Sequence, residues 1–240
     1  MHTPLHLWLA STNPGKLREF AEAAVAHDAC VGSLAAVRLL PPCVEDGQTF
    51  EANARKKAIY YSSAADALVF ADDSGLCVDA LGGAPGVYSA RFAGSEASDA
   101  DNNAKLIEEL RRAVGNGPWT LDRTGENGRG GPDEHAPTRA SYVCVIALAL
   151  RGRLLVVTEG RARGVIIEQP RGSGGFGYDP YFFYPPLGVT FAELSPEAKF
   201  AVSHRGEAFQ KLLDYLERSR GELSALIAAS GARVGPSVLS

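Results

Sequence analysis

The first third of the chain alternates short apolar runs with amphipathic helical stretches, an order that leaves few architectures open. Residues 5–10 (Leu-His-Leu-Trp-Leu-Ala) read as a strand. The polar segment 11–16 leads into a helix that Asn13 caps and Pro14 opens. Leu17, Phe20, Ala21 and Ala24 recur at helical spacing and make that helix amphipathic. Residues 37–40 (Val-Arg-Leu-Leu), closed by Pro41 and Pro42, are expected to form the second strand. Thr49 is placed to cap a second helix running to about Ala65, and residues 68–71 (Leu-Val-Phe-Ala) read as a third strand. A strand–helix–strand–helix–strand order calls for an α/β fold: a partly parallel sheet with covering helices. With 240 residues, the chain is long enough for one large α/β domain or two small lobes.

Further along, residues 81–86 form a turn-rich loop, and a helix is expected from about Ser98 to Arg112 with Leu106, Ile107 and Leu110 on its buried stripe. Residues 115–138 are rich in Gly, Pro and charge and read as an exposed, mobile insertion. Two strands, 141–150 and 154–159, joined through Arg151-Gly-Arg153, make a hairpin, and 163–167 suggests another strand. Helices are expected from Pro196 and over 206–218, and residues 229–240 read as a frayed tail.

The formal charge of −4 argues against binding nucleic-acid polymers through a broad basic face, though a local pocket for one small anion is still allowed. The four cysteines form no Cys-x-x-Cys pair and read as reduced, mostly buried thiols. No signal pattern or membrane-length apolar run stands out, so a cytoplasmic protein without a membrane partner is expected.

Five constellations can carry chemistry. Phe70-Ala-Asp-Asp-Ser-Gly75 places Asp72 and Asp73 after an apolar run. Such paired acids suit either a Mg²⁺ site that activates water or a turn and cap. Ser11, Thr12, Asn13, Pro14, Gly15 and Lys16 join a strand to a helix N-terminus, where backbone N–H groups and a lysine can hold phosphate. Glu45 precedes a helix on which Asn53 and Lys57 share a face. Gly172, Gly174 and Gly177 match G-x-G-x-x-G. The spacing is not a dinucleotide fingerprint, because aromatic strand-like sequence follows it rather than a helix. It reads instead as a loop presenting Phe176 and Tyr178 to a flat ligand, while Tyr181 to Tyr184 belong to a core cluster. Lys199, His204 and Arg205 add cations and donors near a helix start.

Taken in order, six strings resemble the inosine triphosphate pyrophosphatase family, the XTP/dITP diphosphatases. They are Ser-Thr-Asn-Pro-Gly-Lys (11–16), Thr-Phe-Glu-Ala-Asn-Ala-Arg-Lys-Lys-Ala (49–58), Ala-Asp-Asp-Ser-Gly-Leu (71–76), Gly-Gly-Ala-Pro-Gly-Val-Tyr-Ser-Ala-Arg (82–91), Gly-Gly-Phe-Gly-Tyr-Asp-Pro (174–180) and Val-Ser-His-Arg-Gly (202–206). The resemblance implies a single domain with an elongated mixed sheet, flanking helices and two lobes around a central nucleotide cleft. It implies a homodimer and Mg²⁺-dependent hydrolysis of non-standard purine nucleoside triphosphates (ITP, dITP, XTP) to monophosphate and pyrophosphate. Carried over by position, Asp73 is the proton acceptor and a metal ligand, and Glu45 is the second metal ligand, with Asp46 beside it as an alternative. Residues 11–16, Lys57 and Lys199 hold phosphates, and Ser74 contacts substrate. Phe176, Gly177, Tyr178, Asp179, His204 and Arg205 hold the base. The insertion at 115–138 is longer than expected for the family.

Two other readings compete. A septum-associated type of nucleotide pyrophosphatase would act on pyrimidine or modified nucleotides, but His204, Arg205 and the 176–180 loop argue against it. A non-catalytic nucleotide-binding module would be favoured by the loss of the acid at position 73, which is present.

Overall fold

The computed structural model describes residues 4–115, 119 and 137–229. Most of the expected 115–138 insertion and residues 230–240 of the expected tail lie outside the described residues. The elements in chain order are β1 (Leu5–Leu9), α1 (Pro14–Ala24), β2 (Ala29–Ser33), α2 (Ala36–Leu39), α3 (Phe50–Ser62), β3 (Leu68–Val78) and α4 (Asp99–Val114). There follow β4 (Arg139–Leu150), β5 (Arg153–Ile166), β6 (Phe182–Tyr184), β7 (Val189–Thr190), α5 (Pro196–Val202), α6 (His204–Arg218) and α7 (Arg220–Ala228). The strands form one seven-stranded mixed sheet in the order β2-β1-β3-β4-β5-β6-β7. By internal contacts the chain divides into two compact units, one of residues 1–73, 144–160 and 206–240, the other of residues 74–143 and 161–205. Among the described residues no helix is long and apolar enough to cross a membrane.

In the first unit, β1 pairs in parallel with β2 and β3, with Leu7 opposite both Val31 and Leu68. Parallel neighbours require crossovers, and the α1 and α3 segments supply them. Both helices are capped as expected. The Asn13 side chain accepts from Gly15 and Lys16 N–H, and the Thr49 hydroxyl accepts from Ala52 N–H. Phe20, Phe70 and Phe209 meet with ring centroids 4.7–5.8 Å apart and are fully buried, each burial contributing roughly 1.5–3 kcal/mol.

The second strand is not 37–40, which lies largely in the short helix α2, but β2 at Ala29–Ser33. Only Ala29 of β2 is buried, and Gly32 lies so close to Trp8 that a Cβ there would come within 2.9 Å of the ring. A strand lacking an apolar face gives no alternation to read. β3 also departs from expectation. It does not stop at Ala71 but runs through Asp72, Asp73, Ser74 and Gly75 to Val78. Likewise, the expected strands 154–159 and 163–167 are one strand, β5. The α3 helix ends at Ser62, short of Ala65, and α7 was not anticipated.

In the second unit, Leu76, Val78, Leu106, Leu110, Tyr142, Phe182 and Phe191 form the centre of the core. Tyr142, Phe182 and Phe191 pack with centroids 4.7–5.8 Å apart. Ser98 and Asp101 form a reciprocal capping box on α4. The four cysteines are free thiols, but Cys30 is exposed and only Cys144 is fully buried, so the expectation of mostly buried thiols does not hold.

Candidate active site

In the first unit the candidate site side chains gather around Asp72 and Asp73 of β3. Successive residues of a strand face opposite sides, and the two acids find different partners. Asp72 accepts from Lys16 Nζ at 2.7 Å. Asp73 accepts from Asn53 Nδ2 at 3.1 Å and lies 3.5 Å from Lys57 Nζ. Lys57 Nζ also donates to Glu45 at 2.8 Å and to the Asp72 carbonyl at 2.8 Å. One ammonium therefore links Glu45 to Asp73. Asp46 points elsewhere and pairs with Lys56 at the surface.

Burial raises the Asp73 carboxyl above its ordinary range, against the downward pull of the Lys57 ammonium and the Asn53 hydrogen bond. Burial works to lower the Lys57 ammonium, but Asp73, Asp72 and Glu45 outweigh it and leave it raised. Among the described residues no group of three or more His, Cys, Asp or Glu side chains is placed to hold a metal by itself. Glu45 and Asp73 nevertheless fit Mg²⁺, which takes hard oxygen donors and commonly uses one or two carboxylates plus substrate phosphates. Their carboxylates already converge on one cation, the Lys57 ammonium.

Ser11 to Lys16 form the start of α1. Thr12, Asn13 and Pro14 are exposed, and the Ser11 hydroxyl accepts from Asn13 N–H at 3.2 Å. The Gly15 and Lys16 N–H groups bond to Asn13 Oδ1 at 2.8 and 3.2 Å, so the capping residue already engages the donors expected to face phosphate.

In the second unit Asp179 is the hub. Its buried carboxylate accepts from Phe176 N–H at 2.9 Å, pairs with the Lys199 ammonium and takes a hydrogen bond from the Tyr142 hydroxyl. Gly175 has φ +72°, and a Cβ there would lie 2.1 Å from Asp179 Oδ2, so glycine is what lets the loop close over the carboxylate. Phe176 is 47% exposed, with Lys199 Nζ 4.5 Å and Arg205 Cζ 5.4 Å from its ring centre. His204 stacks on Tyr142 at 4.7 Å, and both His204 and Arg205 open α6.

Two expectations are corrected here. Tyr178 is buried and its hydroxyl donates to the Ser89 carbonyl at 2.7 Å, so Phe176 alone of the two rings is offered outward. Lys199 stands three residues into the short helix α5, as expected, but its immediate neighbours are Asp179 and Phe176, residues assigned to the base rather than to phosphate. Ser74 is half-buried in β3, immediately after Asp73.

The family model described as the Ham1 family matches residues 7–215. The chain belongs to the Ham1 family. It is 45% identical over 210 residues to a dITP/XTP pyrophosphatase of Geobacter sulfurreducens, covering 88% of this chain and 96% of that one. It is 43% identical to the dITP/XTP pyrophosphatase of Geobacillus kaustophilus, covering 89% and 95%. Among solved structures, a HAM1 protein from Coxiella burnetii superposes with a TM-score of 0.74 at 35% identity, over 89% of this chain and 99% of that one. The nucleoside-triphosphatase / dITP/XTP pyrophosphatase of Mycobacterium abscessus gives 0.64 at 39% identity, over 87% and 99%. The resemblance carried by the six strings is borne out, as is the mixed α/β fold.

In this Ham1 chain, three side chains belong to the constellations without having been singled out as site residues. Asn53 holds both Asp73 and the Gly47 N–H, the latter at 2.8 Å, and its spacing of four from Lys57 was the available signal. The sequence places Asp72 beside Asp73 without giving it a role of its own. Tyr142 lies inside an unbroken apolar strand and gave no signal.

Proposed function

We propose that this chain hydrolyses non-standard purine nucleoside triphosphates (dITP, XTP and ITP) to the monophosphate and pyrophosphate. The carrying observation is the Asp73 carboxylate, raised by burial and held by Asn53 and Lys57, in a chain that matches dITP/XTP pyrophosphatases over most of its length. An acid with a raised pKa, fixed in direction, suits the removal of a proton from attacking water. Asp73 would take that proton at its carboxylate while Asn53 keeps the group aimed. Lys16 and Lys57 would offset charge on the triphosphate and on the departing pyrophosphate. Glu45 and Asp73 would hold Mg²⁺, which supplies Lewis-acid polarisation of phosphate oxygens when bound. Phe176 would stack on the base, while His204 and Arg205 would donate to its 6-keto oxygen. Adenine presents a 6-amino donor to those donors and leaves them unpaired, which supports discrimination. Assembly as a homodimer and a cytoplasmic location belong to the same proposal and rest on the family resemblance.

The test is product analysis with ITP, XTP, ATP, GTP and dTTP, with and without Mg²⁺. Pyrophosphate from ITP and XTP alone, only with metal, is the expected result. Orthophosphate as the product would move the attack to another phosphorus and overturn the phosphate assignments, and pyrophosphate from dTTP would favour a pyrimidine-directed enzyme.

A further inference from the structure

We propose that Asp99 and Asn103 of α4 are positioning residues that clamp the Gly177 peptide and so fix the aim of Phe176 at the base. The inference rests on the base-binding role given to Phe176 above. Asp99 and Asn103 are four residues apart and share one helix face. Gly177 N–H donates to Asp99 Oδ2 at 2.7 Å, and Asn103 Nδ2 donates to the Gly177 carbonyl at 2.9 Å. Both hydrogen-bonding groups of the residue after Phe176 are thus held by one rigid element. The loop is pinned on its other side by Asp179, which takes the Phe176 N–H. Phe176 itself projects from between these anchors with its ring half in the open.

Asn103 carries a second mark of this role. It lies on the buried stripe of α4 with Leu106, Ile107 and Leu110. Its Oδ1 is buried without a hydrogen-bond partner among the described residues. A residue present only to pack would be better served there by an apolar side chain, since an unsatisfied buried oxygen opposes folding. What asparagine adds at that position is the bond to Gly177. Removal of the amide relieves the unpaired oxygen and forfeits the Gly177 bond, two effects of opposite sign on stability, so KM and Gly177 exchange are what report the clamp.

Three variants test the clamp: Asn103→Leu, Asp99→Ala and Asp99→Asn, the last keeping an acceptor oxygen for Gly177 N–H. Asn103→Leu is expected to keep or raise the melting temperature. Both Asn103→Leu and Asp99→Ala should raise KM for ITP about fivefold, as the loss of one hydrogen bond allows. Their kcat should stay within about twofold of the wild type, the pattern of lost binding rather than lost chemistry. Asp99→Asn should restore KM. Amide hydrogen exchange at Gly177, read on the free protein, should quicken in Asn103→Leu and Asp99→Ala. A lowered melting temperature with unchanged KM would make both residues merely structural and overturn the proposal. If the wild type released no pyrophosphate from ITP, the functional reading would fall and base positioning with it. Unchanged Gly177 exchange would by itself overturn the clamp, whatever the activity.

Discussion

Asp72 and Asp73, adjacent in the chain, are held by different lysines on different helices: Lys16 of α1 lies 2.7 Å from Asp72, and Lys57 of α3 lies 3.5 Å from Asp73. The Asp72 side chain is 1% exposed and the Asp73 side chain 15%. Their substitutions should therefore separate. Asp73→Asn is expected to lower kcat by about 10²–10⁴-fold with nucleotide binding retained, the range for loss of a general base. Asp72→Asn should instead lose about 1–3 kcal/mol of stability by weakening a buried charge-assisted bond. Steady-state kinetics and urea denaturation on the same two variants distinguish the outcomes.

Asn53 bonds to Gly47 N–H and Asp73 at once. Asn53→Ala frees Asp73 to swing and leaves the Gly47 N–H without that partner. A kcat loss of up to about 10²-fold, the scale of a misplaced catalytic group, is expected together with a lower melting temperature. Wild-type kcat in this variant would remove Asn53 from the site.

Glu45 and Asp46 should behave unlike one another. Glu45 shares the Lys57 ammonium with Asp73, whereas Asp46 is paired with Lys56 at the surface, where an ion pair is worth about 0–1 kcal/mol. Glu45→Gln should shift the Mg²⁺ titration of activity to higher concentration, and Asp46→Asn should leave it in place. The reverse pattern would transfer the metal role to Asp46.

Gly175 has a positive φ and no room for a Cβ beside Asp179. Gly175→Ala should cost about 1–2 kcal/mol from the backbone conformation alone, and the displaced carboxylate should also raise KM for ITP. Denaturant unfolding and substrate titration of the one variant read both effects.

The Asp101 carboxyl is held below its ordinary range by hydrogen bonds from the Ser98 hydroxyl and backbone N–H. A depressed folded pKa means the contribution is present above the unfolded value and is lost as pH falls through the folded one. The melting-temperature gap between wild type and Asp101→Asn should thus be full at neutral pH and close below about pH 4, near the ordinary carboxyl pKa. A gap independent of pH would show that the bond does not depend on the charge.

What was legible in the sequence depended on whether a residue's neighbours were local. The caps Asn13 and Thr49 were visible because a cap acts within three residues of itself. β2 was hidden because it buries only Ala29 and yields space to Trp8. The true end of β3 was hidden because Asp, Ser and Gly are poor strand formers, tolerated here while Lys16 and Lys57 compensate the two acids. At the candidate site, the motif strings contain Asp73, Lys57 and Phe176, whereas Glu45 lies outside them and was carried over by position alone. The pairing of Lys199 with Asp179 crosses twenty positions and the Tyr142–His204 stack crosses sixty-two, so neither could be read from spacing.

The Phe176 N–H, the Lys199 ammonium and the Tyr142 hydroxyl converge on the single Asp179 carboxylate, so under the proposed function base recognition would be a shared property rather than a sum of separate contacts. Phe176 donates through its backbone N–H, so it is the Lys199 and Tyr142 side chains whose substitutions should couple with each other and with Asp179 in double-mutant cycles. Any redesign of what this chain accepts would have to change those residues as a set, with single replacements passing through variants worse than either endpoint.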